Sequence, residues 1–147
     1  MTPEEKNLFN NYPQLTLTLL KQTGDETGEK SGPNWGQRDN REGDEMYIPL
    51  PSREQNTGFF PSTGENFTVT TIDNKVFNCV RQQTDGKAIT TVGDISLLGR
   101  YIREKMDIGQ FDPVTKSDLE NYGRTDVTFY KKSDKNFVMS FEVPVED

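Results

Sequence analysis

Between Ser31 and Pro51 the chain reads SGPNWGQRDNREGDEMYIPLP, and its first eleven residues hold Asn34, Gln37, Arg38, Asn40 and Arg41 around the only tryptophan, Trp35. Asn, Gln and Arg are the side chains whose two-pronged hydrogen bonds fit purine edges in the DNA major groove. The stretch has no helical or strand period before Met46-Tyr47-Ile48. It therefore reads as a long ordered loop entering a short strand that ends at Pro49. Loops of this length are uncommon in compact domains and are usually functional or disordered. Two readings stay open: a binding loop, or an Ω-loop whose tryptophan simply plugs the core.

Other chemistries are thinly supplied. The chain has no histidine, which removes His-based general acid–base catalysis, Ser-His and Cys-His nucleophile pairs and most zinc sites. Neither the P-loop nor the G-x-G-x-x-G pattern occurs, so no phosphate-cradling loop is expected. A carboxylate-metal nuclease could use Asp73 with Lys75 or Asp85 with Lys87, but both pairs fall in turns, where Asp is common for conformational reasons. Asp112, Asp118, Glu120 and Asp126 read as turn, cap and surface residues. No metal or cofactor is expected.

The elements that must position the loop follow from local signals. Thr2-Pro3-Glu4-Glu5 opens a short helix, with Thr2 as cap, Pro3 in the first turn and two acids at the positive helix end; Pro13 stops it. Leu15, Leu17 and Leu19 alternate with polar residues as a first strand. Phe59-Phe60-Pro61 reads as a core anchor. Residues 67–72 and 75–81 flank Asp73-Asn74 and predict a hairpin with a two-residue turn. Lys87 to Thr91 is a short strand. Asp94 is placed to cap a helix from Ile95 to Met106, whose apolar positions Leu97, Leu98, Tyr101, Ile102 and Met106 are helically spaced. Thr115 and Asp118 form a capping box for a second helix that Gly123 ends. Strands at 126–130 and 137–143 enclose the polar turn 131–136, and an acidic tail, 144–147, closes the chain. Strands adjacent in sequence without βαβ alternation predict a mainly β fold: an antiparallel sheet or small barrel with two short helices.

Composition sets the limits. The 147 residues suit one domain. Leu, Ile, Val and Phe number 33, just above the level of about 20% below which disorder is the default. The core should therefore be modest and the connections long. The net charge of −7 counts against an unaided, sequence-blind nucleic-acid binder. The charge is uneven, however. Residues 74–106 carry six basic side chains (Lys75, Arg81, Lys87, Arg100, Arg103, Lys105) against Asp85, Asp94 and Glu104, so a polyanion is expected to meet that segment. The lone Cys79 cannot form an intrachain disulfide and reads as a buried thiol in a reducing compartment. No apolar run is long enough for a membrane span and the N-terminus has no apolar signal core; the chain reads as intracellular.

Three motifs in order, SGPNWGQR with YIPLP, FFP followed by the F-x-V strand and KAIT, and SLLGRYIR with YGRTDVTFYK, together resemble the C-terminal DNA-recognition domain of NgoFVII/BfiI-type restriction endonucleases. The resemblance runs from about Leu15 to Phe141, after an N-terminal helix or linker at 1–14, and makes 15–147 a B3-like domain. It implies an open pseudobarrel of about seven mostly antiparallel strands with two short helices. It also implies two arms that grip the major groove of double-stranded DNA like a wrench. The first arm falls on Ser31 to Arg41, with Ser31, Asn34, Trp35, Gln37, Arg38, Asn40 and Arg41 as DNA-binding residues. The second falls on Lys87 to Ser96, with Lys87, Thr90, Thr91, Asp94 and Ser96. The helix after Asp94 would point its N-terminus at phosphate.

Members of that family carry a phospholipase-D-like nuclease domain with a His-x-Lys motif, which this His-free chain lacks, so the resemblance implies recognition without catalysis, in the bacterial cytoplasm. The chain departs from the family pattern at Pro33 and at the pair Asp94-Ile95. Asp94-Ile95 stands where Asn-Asn is usual, and suits a cytosine amino group better than a phosphate. Pro33 stands where an aliphatic residue is usual, and stiffens the loop. The acidic stretch Glu42 to Glu45 should face away from DNA or pair with Lys or Arg. The rival reading is a stand-alone phage or bacterial module that uses the same barrel to bind protein or carbohydrate.

Overall fold

The computed structural model describes residues 1–144; the last three residues of the expected acidic tail lie outside the described residues. Helix α1 spans Pro3–Asn11, with the Thr2 hydroxyl accepting from the Glu5 amide as expected of the cap. Seven strands follow: β1 (Gln14–Thr18), β2 (Ile48–Pro49), β3 (Phe67–Thr71), β4 (Val76–Gln82), β5 (Ala88–Thr91), β6 (Asp126–Ser133) and β7 (Asn136–Ser140). They form one sheet in the order β1-β6-β7-β3-β4-β5-β2. Its two edges, β1 and β2, lie alongside each other, so the sheet is nearly closed and the fold is a mainly β pseudobarrel. All pairs are antiparallel except β3 with β7, where Val69 lies opposite Phe137 in a parallel register.

Three short helices pack around the barrel besides α1. α2 is a single turn at Ser52–Gln55, a stretch whose polarity predicts only a turn. α3 covers Leu97–Met106 and buries Leu98, Tyr101, Ile102 and Met106 of the expected apolar stripe, while Leu97 is exposed. The helix starts two residues later than the pattern predicts. α4 covers Lys116–Tyr122 with both hydrogen bonds of the Thr115–Asp118 capping box in place and Gly123 left-handed at φ +111°.

The barrel is filled by aromatic rings. Phe60 is buried against Phe67, Phe129 and Phe137 with ring centroids 5.0–5.5 Å apart, within the range where tilted and edge-on aromatic contacts are favourable. This confirms the Phe59-Phe60 pair as a core anchor. The β3–β4 hairpin is where it is expected, but its turn has three residues rather than two. Thr71 and Lys75 close it, and Asn74 takes the left-handed conformation at φ +68°. That geometry joins a tight turn to one left-handed residue, which Asn tolerates.

Polar groups also lock the shell. Glu5 of α1 is buried and accepts from Ser140, Tyr130 and Arg124, which ties the N-terminal helix to β6 and β7. Burial pushes the Glu5 carboxyl up, but hydrogen bonds from Ser140 and Tyr130 and the Arg124 charge outweigh it and hold the group below its ordinary range. Cys79 is buried in β4 and burial alone pushes its thiol up to about 12.

Candidate nucleic-acid interface

The long loop is ordered by close backbone packing. Gly32–Gln37 winds into a 3₁₀ turn that no period in the sequence announces. The Gly36 amide donates to the Glu45 carbonyl at 2.8 Å. A Cβ on Gly36 would sit 2.0 Å from the Glu42 carbonyl oxygen, so only glycine lets the loop fold back on itself here. On the far side of the same segment, a Cβ on Gly99 of α3 would sit 1.9 Å from the Asp44 carbonyl oxygen. The acidic stretch is thus clamped between two glycines. Asp44 is buried, accepts from Gln110 at 2.9 Å and pairs with Arg100 at 3.4 Å. Glu45 pairs with Arg41 at 3.4 Å, so two of the three acids in this stretch are neutralised by arginine as expected.

The first-arm residues divide into two groups. Asn34 faces inward. Its Nδ2 donates to the carbonyls of Gly28 and Val114 at 2.8 and 2.7 Å, and its Oδ1 accepts from the Val114 amide at 2.7 Å. Gln37 is half-buried and donates to the carbonyls of Gly43 and Phe111. Ser31 is half-buried at the base of the arm. Arg38, Asn40 and Arg41 are exposed. Trp35 is half-buried rather than a core plug: its ring meets Tyr47 edge-on at 5.7 Å, and the Arg38 guanidinium lies 4.0 Å over it. Arg38 Nε donates to the Lys30 carbonyl at 2.9 Å, and among the described residues no carboxylate pairs with it.

The second arm divides in the same way. Thr90 and Thr91 are buried and donate their hydroxyls to the carbonyls of Met46 and Asp94. Ser96 is buried, and its hydroxyl and amide both donate to one carboxylate oxygen of Asp94. Those two bonds, the hydroxyl's first, hold the Asp94 carboxyl below its ordinary range. Here the structure corrects an expectation. Ser96 rather than Asp94 stands at the N-cap of α3, and the Asp94 carboxylate takes the Ser96 amide just ahead of the helix. Asp94 and Lys87 are the exposed side chains among the five.

The two arms flank one open cleft of about 580 Å³. Trp35, Arg41 and Tyr47 line it from one side and Gln82, Gln83 and Asp94 from the other. Its floor is stitched by the Met46 amide donating to the Ile95 carbonyl at 3.1 Å. Gln82 and Gln83 were not among the residues singled out in the sequence. Their place before Thr-Asp-Gly marks a turn and nothing more, whereas the structure holds Gln83 at φ 67°, ψ 178°. That backbone region is essentially reserved for glycine and recurs at ligand clamps. Lys87 opens instead onto a neighbouring groove with Arg53, across Tyr47 from the cleft.

Over residues 7–133 the sequence matches the family described as the NgoFVII C-terminal B3-like DNA-binding domain. The chain belongs to that family. No curated protein matches it.

In this B3-like DNA-binding domain the positive charge is not where the sequence places it. Of the six cations in 74–106, Arg81 and Arg103 are buried. Arg81 donates to the carbonyls of Gln55, Pro61, Asp85 and Gly86. Arg103 donates to those of Pro33, Gly99 and Asp112. Lys105 pairs with Asp73 and Glu142, and Arg100 with Asp44. Only Lys75 and Lys87 of the six are exposed. The six cations do not gather into one basic face, because carbonyls without strand partners need donors and guanidinium groups supply several at once. Among the described residues no group of three or more His, Cys, Asp or Glu side chains is placed to hold a metal ion. Asp73, one of the two carboxylates weighed for nuclease chemistry, accepts from Tyr101 at 2.8 Å and serves the hairpin.

Proposed function

We propose that this domain recognises a short double-stranded DNA sequence by laying its two arms in the major groove, with cleavage supplied by a phospholipase-D-like nuclease domain of the same restriction system. The observation that carries the reading is the shared cleft: side chains able to read base edges converge on it from both arms. Arg41 in its lining and Arg38, stacked on Trp35, suit guanine, Gln82 and Gln83 suit adenine, and Asp94 suits the amino group of cytosine. Asn34, Thr90, Thr91 and Ser96 face inward and act as scaffold in this reading, while Lys87 acts on phosphate. A bacterial cytoplasmic setting goes with a restriction system.

The test is a binding selection on random duplexes at fixed salt. A defined motif should emerge from the full chain. Replacing Gln83 or Asp94 with Ala should relax it at one base pair each; affinity for random duplex should stay the same for Gln83→Ala and rise slightly for Asp94→Ala, which removes a negative charge. A chain that enriches no motif, or one whose motif is unmoved by these changes, would refute the two-arm reading.

A further inference from the structure

The two sides of the cleft share a feature that DNA contact does not account for. The first arm on one side, and on the other the 82–86 turn that leads into the second arm, are each rooted on a buried guanidinium group bonded only to backbone carbonyls. Arg103, fully buried on α3, donates to the Pro33 carbonyl at 3.1 Å, to Gly99 at 3.2 Å and to Asp112 at 2.9 Å. Pro33 lies two residues before Trp35, at the foot of the first arm. Arg81, at the end of β4, donates to Gly86 at 3.1 Å and Asp85 at 3.2 Å across the turn that presents Gln82 and Gln83, and to Gln55 at 2.8 Å and Pro61 at 3.3 Å behind it. Neither forms an ion pair among the described residues. Arg124, the third largely buried arginine, is different: it pairs with Glu5 at 3.2 Å and Asp126 at 2.9 Å.

Burying a charge without a counter-charge is costly. Burial lowers the pKa of both guanidinium groups, in line with that cost. Hydrogen bonds from the guanidinium group to carbonyls offset only part of that cost, helped at Arg103 by the nearby Asp44 and Asp112 carboxylates, and they fix the position of every carbonyl bonded. The planar fork bonds several carbonyls in set directions, which Lys cannot do. The surroundings leave no slack. A Cβ on Gly86 would lie 2.9 Å from two nitrogens of Arg81, and one on Gly99 would lie 3.1 Å from a nitrogen of Arg103.

We infer that Arg103 and Arg81 are positioning residues, one for the first arm and one for the turn that presents Gln82 and Gln83, which hold the two reading loops in their binding geometry before any ligand arrives. The inference rests on the proposed DNA-recognition reading. Preorganised loops lose less freedom on binding, which raises affinity and sharpens discrimination without a new contact.

The experiment compares Arg103→Lys, Arg81→Lys and the control Arg124→Lys in the full chain. Trp35 is the only tryptophan, so acrylamide quenching without DNA reports on the first arm alone. Arg103→Lys should raise the quenching constant at least twofold, while Arg81→Lys and Arg124→Lys leave it unchanged. On single-substituted versions of the duplex recovered by selection, Arg103→Lys should relax discrimination at the base pair that Arg38→Ala relaxes. Arg81→Lys should do so at the pair that Gln83→Ala relaxes. Each should weaken the best duplex about tenfold with the salt slope unchanged. Arg124→Lys, at matched thermal stability, should keep the wild-type profile.

Unchanged quenching and an unchanged profile in Arg103→Lys and Arg81→Lys would overturn the inference, and so would the same relaxation in Arg124→Lys. If a variant does not fold, hydrogen exchange on the unaltered chain decides. The amides of Gly36 and Gly86 should exchange at least a hundredfold more slowly than that of the exposed Gly58, and equal rates would refute preorganisation. If selection recovers no duplex, the DNA reading fails, while quenching and exchange still judge the positioning role.

Discussion

Arg38 is the side chain in the first arm with most left to offer a ligand. One nitrogen is committed to the Lys30 carbonyl, its plane rests on Trp35, and no acid neutralises it among the described residues. The stacking contributes roughly 0.5–1 kcal/mol at an exposed site and keeps the fork extended. Arg38→Ala should therefore cost on the order of 1–3 kcal/mol and relax preference at one base pair; Arg38→Lys should not restore it, since a point charge cannot meet two acceptors at once. Lys87→Ala should instead weaken all duplexes about equally and lower the salt slope by about one. A substitution panel that gave both variants the same profile would remove the distinction. Asn34 shows what the sequence could not reveal. Locally it resembles Gln37 and Arg38, but the group that claims its amide, Val114, lies 80 positions away. Nothing within the loop distinguishes a side chain that reads outward from one that substitutes for a strand partner.

Elements held by local signals were legible, and those held by distant ones were not. The capping box at Thr115 and the Thr2 cap each involve residues within a few positions of one another and form as the pattern predicts, and so does the α3 stripe except at Leu97, which is exposed. The parallel β3–β7 pair and the fate of Arg81 and Arg103 depend on tertiary closure, which no short window contains. Gly99 sets the two kinds of rule against each other. Ala would favour α3 by about 1 kcal/mol on helix propensity alone. Its Cβ would meet the Asp44 carbonyl oxygen at 1.9 Å, a backbone atom that cannot swing aside. Overpacking of this kind costs about 1–3 kcal/mol, so Gly99→Ala should destabilise the fold in urea melts; a stabilised variant would mean that the acidic segment is not seated on α3. For α1, Glu5 provides a pH test. Its folded pKa is depressed, so its contribution is fully present above the unfolded value of about 4.3 and is lost as pH falls through the folded value. Glu5→Gln should cost about 3 kcal/mol at neutral pH, and the gap to wild type should narrow below about pH 4. A gap that stays constant to pH 3 would show that α1 is docked by packing alone.

A chain of net charge −7 that binds a polyanion has to confine its attraction to a small area. Two arginines are withdrawn into the interior and others are spent on acids, so the cations left near the arms are few: Lys30, Arg38, Arg41, Arg53 and Lys87, two of them already beside an acid. The remaining acidic surface repels DNA wherever the arms do not engage. A domain built this way discriminates partly by refusing non-specific duplex, because sequence-blind affinity comes almost wholly from phosphate neutralisation. With about 4–6 phosphate contacts, the slope of log affinity against log salt should be roughly −4 to −5. The same surface predicts that affinity for random duplex is lost well below physiological salt, while the selected sequence is still held by base contacts. Fluorescence anisotropy across a salt series measures both, and the DNA should stay intact when magnesium is added. A slope near −10 would mean that a far larger basic surface is in play than the exposed cations provide, and clean magnesium-dependent cleavage would mean that the chain does more than recognise its site.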